Sequence, residues 1–242
     1  MTSNIDVIVP VHNEADGLPT FYERMRALPL EYRLVFIDNA SNDKSVDIIE
    51  SFDGVTLIRH SQNEGYGGSI LDGIAQTDGE YIIIIDADCE FPPECLPQLA
   101  EAVQREPVVY ASRMLGKGNA REANMPYLKM LGNRIISGSF NLLFRQRTTD
   151  LYTGCKALRR DVLSSIHLTQ KGYEHVLEMG AKLADRGIKI TEIPVDFHAR
   201  STGASKMRHV SETTKFLFLI LSYYFQSCAG KLNDSKGEEK GS

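Results

Sequence analysis

The stretch Ile82 to Phe91, IIIIDADCEF, ends a run of four isoleucines in Asp86 and Asp88, with Glu90 two residues further on. Carboxylates are costly to bury unless a cation or hydrogen bonds meet them. Two or three hard oxygen ligands at one strand end suit a divalent cation, Mg²⁺ or Mn²⁺. Such a cation keeps some waters and takes substrate phosphates as further ligands. If the chain stays extended, Asp86 and Asp88 share one side, because side chains repeat every two residues along a strand. The same residues also fit a turn capping the helix that follows. The pattern alone leaves both readings open.

The elements that must position these carboxylates alternate. Apolar runs at Ile5–Val11, Tyr32–Ile37, Val55–Arg59, Tyr81–Ile85 and Val108–Ser112 read as strands. Helical spacing fills Glu14–Leu28, Asp43–Phe52, Gly68–Gln76 and Pro92 to about Arg105. Pro92 and Pro93 suit a first helical turn. Strands alternating with helices predict an α/β domain with a mostly parallel sheet covered on both faces. After Ser112 the rhythm changes. A Gly/Asn-rich loop (116–124) leads to a helix over 126–144 and a short strand over 155–158. A helix over 173–186, a strand over 188–195 and a helix from about 209 to 226 follow. Ligands of open parallel sheets sit beyond the carboxyl ends of the strands. That edge carries Pro10–Glu14, Asp38–Ser41, Asp86–Glu90 and Arg113, so the acidic group falls where a ligand belongs.

Several classes are disfavoured. The net charge of -5 argues against a nucleic-acid partner. There is no GxxxxGK[ST] phosphate loop. GYGGSI begins like a dinucleotide fingerprint, but Ile70 stands where the third glycine belongs. Gly65, Gly67 and Gly68 read as a tight turn into a helix, with a direct phosphate contact as the alternative. The four cysteines form no CxxC pair, which predicts free thiols in a reducing compartment. No apolar run approaches the roughly 20 residues of a membrane span. FLFLILSYYF (216–225) suits an interfacial helix, a dock for a small membrane partner, or a helix packed on the domain's own core. The polar C-terminus is expected to be disordered.

Five segments, VIVPVHNEADGLP, VFIDNASNDKS, GEYIIIIDADCEFPPECLP, TDLYTGCKALRR and EIPVDFHARSTGASK, resemble inverting glycosyltransferases of family 2. The nearest branch is similar to the dolichol- and polyprenyl-phosphate sugar synthases. The similarity spans about residues 5–206. It implies a GT-A fold, placed over residues 1–208; the residues themselves read beyond it as an amphipathic or apolar helix over 209–228 and a polar tail over 229–242. The resemblance also implies a nucleotide-sugar donor, UDP- or GDP-linked, and Mg²⁺ or Mn²⁺. Carried over by residue, Pro10, His12 and Glu14 match the segment that meets the nucleotide, with Ile37, Asp38 and Asn39 at base and ribose. Asp86, Ala87 and Asp88 match the metal-binding DxD, and Glu90 lies near a third ligand position. Arg113, Lys129 and Asn133 match positions that meet the acceptor phosphate. Arg200, Ser205 and Lys206 match a loop over the donor diphosphate, in which Gly203 gives a lid its flexibility. Asn39 stands where an aspartate is usual, and Thr202 where some mannosyl synthases carry arginine, so base and sugar stay open.

The implied reaction moves a sugar onto a polyprenyl phosphate at the cytoplasmic face of a membrane. Ten basic and two acidic residues between Arg113 and Arg160 would supply a field for an anionic acceptor or membrane surface. Rival readings are a saccharide or other hydroxyl acceptor with Asp150 as base, a nucleotidyltransferase, or a non-catalytic nucleotide-sugar sensor. The nucleotidyltransferase would need a glycine-rich basic loop where PVHNEADG stands. With a phosphate acceptor, Asp150→Asn is expected to harm less than loss of the Arg113 charge, unless Asp150 holds its loop. His12 reads as a neighbour of the base and not as catalytic. Glu178 reads equally as an acidic site position or a buried hydrogen-bonding group.

Overall fold

The structure is a computed structural model, and it describes residues 4–115, 125, 127–196 and 209–233. Seven strands form one sheet: β1 (Ile5–Val11), β2 (Arg33–Asp38), β3 (Val55–Arg59), β4 (Tyr81–Ile84), β5 (Val108–Ser112), β6 (Lys156–Arg159) and β7 (Thr191–Pro194). Their spatial order is β3-β2-β1-β4-β6-β5-β7. β1 to β4 pair in parallel, as do β5 and β7, while β6 runs antiparallel between β4 and β5. The mostly parallel sheet is therefore as expected, with one reversed strand that returns after the long fifth helix.

The isoleucine run is explained by layers on both faces. Ile83 and Ile85 join one core with α1 (Leu18–Arg26), α2 (Ser45–Glu50) and α4 (Leu96–Arg105). Ile82 and Ile84 join the other, beneath α3 (Gly65–Ala75), α5 (Tyr127–Phe144), α6 (Arg160–Ser164), α7 (His175–Asp185) and α8 (His209–Cys228). Along α8, Phe216, Ile220 and Tyr223 are buried in that second core.

Local chemistry trims the expected elements. The first helix begins at Leu18 rather than Glu14, because Glu14–Gly17 closes a turn in which Gly17 N–H bonds to the Glu14 carbonyl at 3.0 Å. Pro19 then sits in the first helical turn, where its missing N–H costs nothing. The last strand begins at Thr191 rather than Ile188. Gly187 takes φ +73° to end α7, and Ile190 N–H turns to the Gln146 side chain at 3.2 Å instead of a neighbouring strand. Gly65, Gly67 and Gly68 are themselves the first turn of α3. At Gly67 a Cβ would lie 2.3 Å from the Gln170 carbonyl, so only glycine allows this approach. The expected loop at 116–124 and the residues after 233 lie outside the described residues.

Candidate functional site

The carboxyl ends of the strands open into a cavity of about 410 Å³. The strand ends bring Pro10 near the carboxyl end of β1, His12 and Glu14 just beyond it, Asn39 after β2, and Asp86, Asp88 and Glu90 after β4. The later segments bring the apolar side chains of Met114, Met125, Leu128, Ile136, Val176 and Phe216. Arg113 and Asn133 stand in the wall as well.

The strand-end side of the site is built by loops that bond to one another. Asn39 is buried and acts as a hub: its amide donates to the Asn63 side chain at 3.0 Å, and its oxygen accepts from Glu64 N–H at 2.7 Å. The His12 ring nitrogen Nδ1 lies 2.9 Å from the Asn39 carbonyl, which fixes the imidazole on the cavity wall. Asp38 is also buried, but both of its oxygens receive Ser41 N–H at 3.3 Å, and it shapes the turn rather than lining the cavity. Ile37, expected at the nucleotide, is fully buried in the sheet core, its Cδ1 packed toward Gly73. One place before the end of β2, its side chain points into the second core and does not line the cavity.

The acidic run bends where extended geometry would have continued. β4 ends at Ile84, and Cys89 takes a left-handed φ of +55°. Asp88 Oδ1 accepts Glu90 N–H at 2.9 Å, closing a short turn. Glu90 is carried to Arg113, with its carboxylate 3.5 Å from Nη1. Among the described residues no group of three His, Cys, Asp or Glu side chains converges as a metal cluster. Glu90 lines the cavity together with Asp86 and Asp88, and its approach to Arg113 sets a second engagement beside the third-ligand position that the resemblance implies. Asp86 and Asp88 both remain on the cavity wall. Asp86 Oδ1 accepts the Tyr66 hydroxyl at 3.0 Å. A Cβ at residue 154 would lie 2.1 Å from Asp86 Oδ2, so the carboxylate occupies space that Gly154 leaves free. Two hard oxygen donors in an open cavity fit a divalent cation whose other ligands are waters and a diphosphate.

Arg113 and Asp150 form a buried, two-pronged ion pair. Nε donates to Oδ2 at 2.7 Å and Nη2 to Oδ1 at 2.9 Å, while Arg113 N–H adds a third bond at 3.1 Å. Asn133 donates to Asp150 Oδ1 at 3.1 Å, and the guanidinium lies 5.0 Å over the Phe91 ring. Burial alone would raise the Asp150 pKa, but the charge and hydrogen bonds of Arg113 hold it below the usual carboxylate range. Burial opposes the Arg113 charge too, yet Asp150 and then Glu90 keep it above its ordinary value. The loop carrying Asp150 is itself clamped by Glu192 of β7, which accepts from Thr149 N–H at 2.8 Å and Asp150 N–H at 2.9 Å. Asp150, considered as a base for a hydroxyl acceptor, is a strut with every oxygen engaged and no exposed surface. This geometry meets the exception attached to the expectation for Asp150→Asn, since Asp150 holds both its loop and Arg113.

Glu178 is resolved as a structural group. It is buried and accepts Gln170 N–H at 2.8 Å and Lys182 Nζ at 2.9 Å, so it holds the loop on which Gly67 packs. Lys129 lies in α5 four residues before Asn133, and its side chain is outside the described residues, as are Arg200, Ser205 and Lys206. Sequence reasoning missed Glu192, Tyr66, Gly154 and Lys156. A charged residue inside an apolar strand, as in ITEIPV and CKALRR, is the signal that marks two of them.

Over residues 6–166, nearly all of β1 through α6, the sequence profile of the family described as Glycosyl transferase family 2 matches. The chain is 28% identical over 211 residues to the dolichol-phosphate mannosyltransferase of Pyrococcus furiosus, covering 84% of this chain and 59% of that protein, so it spans little more than half of that relative. It is 29% identical over 210 residues to the undecaprenyl-phosphate mannosyltransferase of Micrococcus luteus, covering 83% of this chain and 86% of that protein. The structure is similar to crystal structures of glucosyl-3-phosphoglycerate synthase from Mycobacterium tuberculosis, one of them with TM-score 0.67 and 17% identity, covering 94% of this chain and 80% of that one. Another structure of that synthase, with TM-score 0.64, holds Mn²⁺, uridine diphosphate and glucosyl-3-phosphoglycerate. The shared sheet is the GT-A fold. Matched by the family model over residues 6–166, well over half of its length, this chain belongs to glycosyl transferase family 2.

Proposed function

We propose that the chain transfers a sugar from a UDP- or GDP-linked donor to a polyprenyl phosphate, with inversion at the anomeric carbon. The carrying observation is the mixed wall of the cavity. It carries the DxD carboxylates together with the apolar side chains of Met125, Leu128 and Phe216, and Tyr127, Leu131 and Ile135 of the same helix α5 are exposed. A small polar acceptor has no use for those apolar side chains, whereas an isoprenoid chain would bury against them. The names of the relatives, dolichol-phosphate and undecaprenyl-phosphate mannosyltransferase, agree with this reading.

In the proposed complex His12, Glu14 and Asn39 orient the nucleotide. Asp86 and Asp88 would hold Mg²⁺ or Mn²⁺, which would neutralise charge on the leaving diphosphate. Arg113, Asn133 and Lys129 would place the acceptor phosphate beside the anomeric carbon. A phosphate oxygen attacks that carbon as the bond to the diphosphate breaks. The phosphate monoester is already an anion near pH 7. The step therefore needs positioning rather than proton removal, and Asp150 serves it by fixing Arg113. Arg200, Ser205 and Lys206 complete the proposal as a closing loop over the donor.

No helix among the described residues is long and apolar enough to cross a membrane. In this reading the enzyme works peripherally, at the cytoplasmic face, either directly or through a small membrane partner. Leu142, 81% exposed, and Phe218, 70% exposed, add exposed apolar surface on α5 and α8, with Arg134, Arg145 and Arg147 exposed nearby in sequence for anionic headgroups. A series of prenyl phosphates of rising chain length, compared with glycerol phosphate, tests the cavity argument. We expect kcat/KM to climb with chain length until the apolar side chains of the wall are covered. A flat series contradicts the lipid acceptor.

A further inference from the structure

Lys156 opens β6, paired with Ile84 of β4 and Tyr110 of β5, and has no exposed surface. Among the described residues its ammonium has no hydrogen-bond partner, and it lies 5.1 Å from the centre of the Tyr110 ring. It sits on the core side that Ile82 and Ile84 face, at the edge where β4 runs on to Asp86. Two residues before it, Gly154 gives its missing side chain's space to the Asp86 carboxylate. Burial pushes the Lys156 pKa down to about 8, and Asp86 is the first of the charges that resist this, with Cys155 and Asp150 after it. An ammonium buried without hydrogen bonds costs stability that a methionine of like length would not. Such a cost is retained where a site needs the charge.

We propose that Lys156 is a positioning residue of the donor site, a fixed positive charge behind Asp86 that disfavours a bare divalent cation and favours the anionic nucleotide diphosphate. The inference rests on the reading of Asp86 and Asp88 as metal ligands. Lys156 does not line the cavity, so it acts through Asp86 and through the field it projects. In a buried setting that field is only weakly screened by salt. A second cation arriving at Asp86 is repelled, and a diphosphate beside it is attracted. The metal then enters with the nucleotide rather than ahead of it, which keeps the site from filling with cation alone.

The test uses the full chain with Lys156→Met and Lys156→Gln. Mn²⁺ binding without nucleotide is read by electron paramagnetic resonance of free Mn²⁺. Binding of UDP and GDP at saturating Mn²⁺ is read by calorimetry, and the thermal midpoint is taken for each variant. We expect Lys156→Met to melt at or above the wild-type midpoint, to bind Mn²⁺ at least threefold more tightly, and to bind the nucleotide diphosphate at least threefold more weakly. Lys156→Gln should shift both affinities in the same directions. Affinities that move together, or that stay unchanged in a variant melting like wild type, overturn the inference. A midpoint lowered by many degrees in both variants also overturns it, because the charge would then be structural. If wild-type protein binds no Mn²⁺ with or without nucleotide, the metal reading falls and this inference with it. If wild type binds Mn²⁺ and both variants match it, this inference alone falls.

Discussion

Asp150→Asn removes one charge from the most enclosed ion pair of the cavity. The carboxylate has no exposed surface, and the Arg113 side chain is 7% exposed, so solvent cannot take over the lost interaction. Three bonds from Arg113 and one from Asn133 converge on it. Breaking a buried pair from one side costs about 3–5 kcal/mol. That is a large share of the ~5–15 kcal/mol by which domains are stable. The asparagine keeps one acceptor oxygen but turns its N–H₂ toward Arg113 Nε, donor against donor, which places the expectation near the middle of that range. The folded-state pKa of Asp150 is depressed, so its contribution is fully present above the unfolded carboxylate pKa of ~3.9 and fades as pH falls through the lower folded value. Urea unfolding should therefore show a gap between wild type and variant that is constant from neutral pH into mild acid and closes only in strong acid. The double variant Arg113→Met with Asp150→Leu should recover much of the stability and none of the activity, because an apolar pair fills the space but cannot position a phosphate. An Asp150→Asn protein as stable as wild type whose pH–rate profile loses its acid-side limb would refute the strut and restore Asp150 as a base.

Three other outcomes follow from the same geometry. Asp88→Asn should cut kcat/KM by about 100-fold or more with an unchanged melting curve, and EDTA should silence the wild type; an active variant indifferent to EDTA contradicts the DxD assignment. Gly154→Ala puts a methyl group 2.1 Å from Asp86 Oδ2, so the carboxylate must leave the Tyr66 hydroxyl, and an ångström-scale shift predicts about a 100-fold loss of kcat/KM. Unchanged kinetics in that variant would show that Asp86 need not stay where it is. Leu142→Asp with Phe218→Asp should abolish flotation with anionic liposomes while leaving turnover of a short soluble acceptor intact; equal flotation rejects the α5 and α8 face as the membrane contact.

Much of this was legible in the sequence. Strand and helix alternation through Ser112 pointed to the parallel sheet, since buried parallel strands are apolar throughout and each is followed by a periodic helix. The layering of Ile82 and Ile84 against Ile83 and Ile85 is what such a run means. Pro10, His12, Glu14, Asn39, Asp86 and Asp88 come together because each lies at or just beyond the carboxyl end of a strand. The sequence could not show that Cys89 would adopt a left-handed turn and hand Glu90 to Arg113, because periodicity ends where the strand ends. Nor could it show that Arg113 and Asp150, 37 residues apart, would meet around Asn133, a contact set by the return of β6 beside β5. Glu192 and Lys156 were hidden inside short strands, where a charge reads as an exposed edge until its neighbours are known.

The central claim is that a phosphate, and not a hydroxyl, attacks the donor. Its most direct measurement is product analysis by mass spectrometry with polyprenyl phosphate, the free polyprenol and 3-phosphoglycerate offered in parallel, each with a panel of UDP- and GDP-sugars and Mg²⁺ or Mn²⁺. The account predicts a polyprenyl-phosphate sugar, β-linked from an α-linked donor, and no product from the polyprenol or the phosphoglycerate hydroxyl. Efficient transfer to either hydroxyl, with polyprenyl phosphate left unconsumed, would contradict it.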